Sequence, residues 1–222
     1  MLIEIIKSFL CCFVVDKLLL FCGDISLSRR YIGIHALLNW WIVYWTYADV
    51  SNCLQNSWDL DYHFGHSGVK VITYTIGLHL FDMYIRINRL AMDDIIHHIV
   101  SSFLSTAIIV YHRADNSPLT NVATFFMCGL PGAIDYTLLY FVKHDQLRSI
   151  DEKYINGILN MYIRLPGLLY CSLKCLEILQ GNLFHELNST YLIFIIVSTY
   201  INGVYFSKKV VENYSKCKTL LD

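Results

Sequence analysis

Long apolar runs separated by short polar stretches organise the chain. A helix needs roughly 20 apolar residues to cross a bilayer at about 1.5 Å of rise per residue. Seven runs approach that length, at about 3–21, 31–50, 69–87, 94–111, 119–142, 155–179 and 190–206. The pattern predicts an all-α fold, a polytopic membrane helix bundle of about seven transmembrane helices, six in the main body and one before it. Heptad repeats, low-complexity tracts and long linkers are absent from the sequence. The expected organisation is therefore an N-terminal helix and basic loop (1–30), one membrane domain (31–211) and a short tail (212–222).

Polar residues inside the runs say where the interior lies, because a buried charge in an apolar medium needs a partner. Glu4, Lys7, Asp16 and Lys17 interrupt the first run, and Asp16 and Lys17 lie deep enough to require an interior partner or snorkelling. A cleaved signal peptide is the less favoured reading, since no clean small-residue cleavage pattern follows. Trp40, Trp41, Tyr44, Trp45 and Tyr47 in the second run read as interfacial anchors or packing surface. The stretch 51–68 reads as an ordinary polar loop, and its His63 and His66 fall short of a metal ligand set. In the third run Asp82 and Arg86 are four apart, on one helix face, and are expected to pair. Pro131 cannot donate to the carbonyl of Met127, so a kink with open backbone is expected just before Asp135. Asn160, Arg164 and Pro166 repeat the device in the sixth run.

Composition agrees with the pattern: of 222 residues, 55% are hydrophobic and 16% charged, outside the balance of a soluble domain. A net charge of -1 with no long block of like charge gives no footing for nucleic acid. Eight cysteines show no CxxC pair and no disulfide framework. Basic residues fall at alternate ends of the runs: Arg29 and Arg30, Arg86 and Arg89, Lys143 with Arg148 and Lys153, then Lys208, Lys209, Lys216 and Lys218. By the positive-inside rule the C-terminus is expected in the cytoplasm and, with seven spans, the N-terminus outside. The Asn188-Ser189-Thr190 sequon then lies on the outer side.

The candidate chemistry centres on Asp93-Asp94-Ile95-Ile96-His97-His98, which opens the fourth run. Asp94 precedes His97 by three residues and His98 by four, so a helix stacks carboxylate and imidazole on one face. Such a partner fixes the tautomer and makes the ring a better base. In acyl transfer from a thioester, one histidine removes a proton from an attacking amine or itself takes the acyl group. Asp135, on another kinked span, is expected as a second orienting carboxylate. Arg164 either binds a phosphate of coenzyme A or a lipid headgroup, or pairs with Asp135 or Asp82. Metal chemistry is the rival: the HxxxH and HxxHH patterns of membrane desaturases and hydroxylases are absent, and a site from His79, His97 and His98 is its remaining form. The third reading is structural, with the pair only bonding neighbouring helices.

The order of Phe81-Asp82, His97-His98, Gly132-Ala133-Ile134-Asp135-Tyr136 with Leu138, Leu139 and Lys143, Arg164-Leu165-Pro166, and Asn202-Gly203-Val204-Tyr205-Phe206 with Lys208-Lys209 resembles the TLC domain. That domain is shared by translocating-chain-associated proteins, ceramide synthases and related lipid proteins. The resemblance spans roughly 31–211 and implies transmembrane helices around a lipid-accessible cavity, usually in the endoplasmic reticulum. It implies a role in lipid metabolism, with acyl-coenzyme A as co-substrate rather than bound cofactor and membrane lipid or a sphingoid base as partner. His97, His98 and Asp135 would be catalytic, Arg164, Asp82 and Asp94 would bind substrate, and no metal is expected. The longer ceramide synthase signature is not reproduced between Ile99 and Pro131. The alternative is a non-enzymatic TLC-type protein that binds lipid or acts on membrane composition or trafficking.

Overall fold

A computed structural model describes residues 2–65, 67, 71–87, 92, 95, 98–99, 117–181 and 189–220, and these form an all-helical bundle. In chain order the helices are α1 (Leu2–Phe21), α2 (Leu27–Gln55), α3 (Leu60–Phe64), α4 (Ile72–Arg86), α5 (Pro118–Thr124), α6 (Leu130–Lys143), α7 (Ser149–Leu159), α8 (Leu165–Gly181) and α9 (Ser189–Thr219). Most of the fourth run lies outside the described residues, although Met92, Ile95 and His98 are helical. Two continuous helical stretches, Pro118–Lys143 and Ser189–Thr219, are long and apolar enough to cross a membrane.

Local chemistry sets the ends. Ser117 caps α5, its hydroxyl accepting from the Thr120 N–H at 3.2 Å, and Pro118 occupies the first turn, where its missing donor costs nothing. Asp59 caps α3 by accepting from the Tyr62 N–H at 3.0 Å. The stretch 51–68, expected as plain loop, thus holds the end of α2 and a short helix. Gly23, at φ +102°, turns the chain between α1 and α2 in a conformation that side chains disfavour. Beyond Phe206 the chain continues as helix to Thr219, supported by the pair Lys208 and Glu212 on one face at 3.7 Å.

Both interior prolines are preceded by a π turn. Phe125–Gly129 joins α5 to α6 ahead of Pro131, and Asn160–Arg164 joins α7 to α8 ahead of Pro166. The helix absorbs each missing donor by widening for one turn rather than by breaking.

Helix faces are polar inward and apolar outward. In α1 the buried residues include Ser8, Cys12 and Asp16, while Leu10, Val14 and Leu18 are exposed. In α2 His35, Asn39, Thr46 and Asp49 are buried, while Leu37, Trp40, Trp41 and Tyr44 are exposed. In α9 Thr199 and Ser207 face inward while Ile193, Val197 and Ile201 face outward. Asp16 has the partner its depth requires: Arg30 donates to it at 2.7 Å, and Lys17 points to the surface. Small residues bring helices close. A Cβ on Gly77 would stand 2.5 Å from the Ser8 hydroxyl, which sets α4 tightly against α1. Gly132 likewise seats Asn39, and Gly167 lies against the Phe126 ring.

Candidate functional site

Helix α4 carries His79, Asp82 and Arg86 at spacings of three and four, so all three share one face. His98 meets that face. Its Nε2 lies 2.8 Å from Asp82 Oδ2, and its Nδ1 lies 2.9 Å from His79 Nδ1. Asp82 is fully buried, and Arg86 reaches it from the following turn at 3.4 Å, as the four-residue spacing predicts.

Hydrogen-bond chemistry fixes the direction of this chain. An ionised carboxylate only accepts, so His98 donates from Nε2 to Asp82. A neutral His98 then holds its lone pair at Nδ1 and accepts there from His79 Nδ1–H, which leaves the His79 lone pair at Nε2. The arrangement is a carboxylate followed by two imidazoles joined through hydrogen bonds. Around it stand Tyr31, whose ring lies 4.7 Å beneath the Arg86 guanidinium, and His35, whose ring centre is 4.7 Å from that of Tyr136. His35 Nδ1 bonds the Tyr31 carbonyl at 3.0 Å, and the Tyr31 and Tyr136 rings meet edge-on with centres 6.3 Å apart.

Asp135 stands in different company. The charged groups nearest it electrostatically are Glu152, Arg164 and Lys153. One of its oxygens, Oδ1, is buried without a hydrogen-bond partner. The orienting carboxylate for His98 is Asp82, so the residue expected to hold substrate holds the imidazole. Arg164 finds no carboxylate oxygen within 4 Å among the described residues. It donates from Nε and Nη2 to the Met127 carbonyl, at 3.1 and 2.5 Å, and from Nη1 to Asn160 Oδ1 at 2.7 Å, with the Phe206 ring 4.8 Å away. That carbonyl is the one Pro131 leaves without a helical donor. The sequence exposes the carbonyl, and only the tertiary structure shows the guanidinium that satisfies it.

Asp93, Asp94 and His97 lie outside the described residues. His79 and the aromatic wall of Tyr31, His35 and Tyr136 are the members that sequence reasoning did not assign to acyl transfer. The signal was available for His79, which sits three residues before Asp82 on the same face. Among the described residues, no group of three or more His, Cys, Asp and Glu side chains is arranged to hold a metal ion.

A second buried polar network lies at the opposite end of α2. Asp49 Oδ2 accepts from Ser67 Oγ at 2.8 Å and from Asn121 Nδ2 at 2.6 Å, and Tyr62 approaches Oδ1 at 3.4 Å. Beside it, fully buried His63 bonds the Asp59 carbonyl at 2.5 Å and the Tyr170 hydroxyl at 2.6 Å.

Compared with known proteins, the chain matches no family model, no curated protein and no solved structure.

Proposed function

We propose that this is a multi-pass membrane protein of lipid metabolism in which Asp82, His98 and His79 form a proton-accepting relay for acyl transfer. The observation that carries the reading is the line of Asp82, His98 and His79, closed by contacts of 2.8 and 2.9 Å inside a bundle whose outer faces are apolar. In water, burying the Asp82 carboxylate and the His98 imidazole while exposing leucine and tryptophan would oppose folding; in a bilayer it is the expected arrangement. Two helices meet the length and apolarity of a span, and the seven apolar runs, with basic residues at alternate ends, are the fuller topology of the proposal.

The reaction that suits this site is N-acylation of a sphingoid base by acyl-coenzyme A, in a TLC-like cavity of the endoplasmic reticulum. The amine nitrogen bonds to the thioester carbonyl carbon, and His79 takes the amine proton at Nε2. The carbon–sulfur bond breaks and coenzyme A leaves as the thiolate. His98 and Asp82 stabilise the imidazolium formed on His79, as an orienting carboxylate does in other base relays. Arg86, partly exposed at the end of α4, supplies positive charge for a headgroup or phosphate. The test is amide formation by purified protein given acyl-coenzyme A and a sphingoid base, beside His98→Ala and His79→Ala. Product from the wild type and little from the variants supports the reading; no product, or equal product from His98→Ala, ends it.

One observation favours a second reading, lipid binding or trafficking without catalysis. Asp82 already receives both His98 and Arg86, the kind of saturation a purely structural network shows. This reading expects intact lipid to co-purify and its retention to be unchanged in His98→Gln.

A further inference from the structure

The turn between α1 and α2 is tied to the end of α6 by three side chains whose protons can be counted. His144 Nδ1 lies 2.8 Å from the Tyr140 carbonyl oxygen, and its Nε2 lies 2.9 Å from Asp24 Oδ1. The Tyr140 hydroxyl donates to Asp24 Oδ2 at 2.5 Å. A carbonyl oxygen has no proton to give, and an ionised carboxylate has none either. A neutral imidazole has one N–H for these two acceptors, so both bonds exist together only when the pair of His144 and Asp24 holds one further proton. The count is the same whether that proton sits on the ring or the carboxyl group.

We propose that Asp24, Tyr140 and His144 form a proton-operated latch that fastens the α1–α2 turn to the end of α6. The latch is closed while the pair keeps its shared proton and opens when that proton leaves. Burial alone would raise the Asp24 carboxyl, but hydrogen bonds from Tyr140 and His144 and the charges of His144 and Arg29 outweigh it and hold Asp24 below the usual carboxylate range. The other groups facing the site are Cys22 in the turn and Arg30 on α2, whose guanidinium is engaged by Asp16 and by the Asp24 and Ile25 carbonyls. His144 is not sealed off, its side chain being 23% exposed, so water can exchange the proton. Gly23 supplies the pivot, and the turn holds α1, which packs through Ser8 on Gly77 of α4, the helix that carries His79 and Asp82. The latch stands independently of any acyl transfer.

The sign of the pH dependence follows. Stability from the shared proton is present at mildly acidic pH and lost as pH rises and the proton leaves. Because the folded state holds Asp24 low, its contribution is lost only as pH falls through that lowered value. The experiment is the thermal midpoint of the full-length protein in detergent from about pH 4 to about pH 9, with 15N spectra of the histidine rings. The wild-type midpoint should fall by about 2–4 °C as the pH rises across that range. His144→Gln should be lower at acidic pH and flat over that interval, and His144→Lys, which keeps a cation, should also be flat. The His144 resonance, identified by its loss in His144→Gln, should report a proton on both ring nitrogens in the pH range where the wild-type midpoint is highest. A wild-type curve parallel to that of His144→Gln, or a neutral ring with Asp24 ionised where the wild-type midpoint is highest, overturns the latch.

Discussion

Two buried carboxylates, Asp49 and Asp82, lie in the same apolar bundle and are satisfied by different kinds of donor. Asp49 is surrounded by an amide, a hydroxyl and a phenol, groups whose protons stay where they are near neutral pH. Asp82 is met by an imidazole whose other nitrogen faces a second imidazole. A proton in the first network has one home, and in the second it has several. Both networks offset the desolvation of a buried charge, but the second is the one built from imidazoles, the side chain whose protonation can change near neutral pH. The difference separates a polar group kept for architecture from one suited to chemistry.

Three substitutions test that contrast and a fourth, at Arg164, tests the π turn, in descending order of expected effect. Asp82→Asn preserves shape but offers His98 an amide in place of a carboxylate. Amide formation should fall about 100- to 10,000-fold while the unfolding midpoint moves little, and a variant as active as the wild type would remove Asp82 from the relay. Asn121→Leu removes the shortest donor to Asp49 and should cost about 3 kcal/mol in denaturant unfolding, with activity per folded molecule unchanged. If activity fell as it does for Asp82→Asn, the distinction between the networks would collapse. Arg164→Met leaves the Met127 carbonyl without its side-chain donor at the π turn and should cost about 1–3 kcal/mol of stability. Ser67→Ala, which leaves Asp49 the Asn121 amide, should cost about 1 kcal/mol, and a much larger loss would mean that Ser67 does more than donate one bond.

The sequence was informative where the determinant is local. Apolar run lengths located α1, α2, α4 and the stretches 118–143 and 149–181 to within about six residues at each end, because a chain that must bury its own backbone donors has little choice but helix. The i,i+4 rule anticipated Asp82 with Arg86. Proline chemistry anticipated an open carbonyl at Met127. What it did not supply was the partner across space. Arg164, expected beside a carboxylate or a phosphate, fills that carbonyl, and His79, grouped with His98 only as a rival metal site, meets it in a direct hydrogen bond. Asp135 and Asp82 are both single aspartates in apolar runs, and nothing local says that one meets a histidine and the other feels the charge of a glutamate. The end of α9 was missed for a different reason: the segment after Phe206 is too polar for a membrane run, yet forms helix through side-chain pairing along its own surface.

The π turn at Phe125–Gly129 also sets the rotational phase of everything after it. A π turn takes in one more residue than an α turn, and each residue is about 100° of rotation. Removing one residue from this turn would leave composition and length almost untouched and return the segment to an α register, with Pro131 no longer accommodated by a widened turn. It would also swing Asp135, Tyr136 and Tyr140 together by about a quarter of a circle. The directions in which α6 presents its polar side chains therefore depend on this single supernumerary residue, and a one-residue deletion there is a sharper probe of the interior than replacement of any one of those side chains.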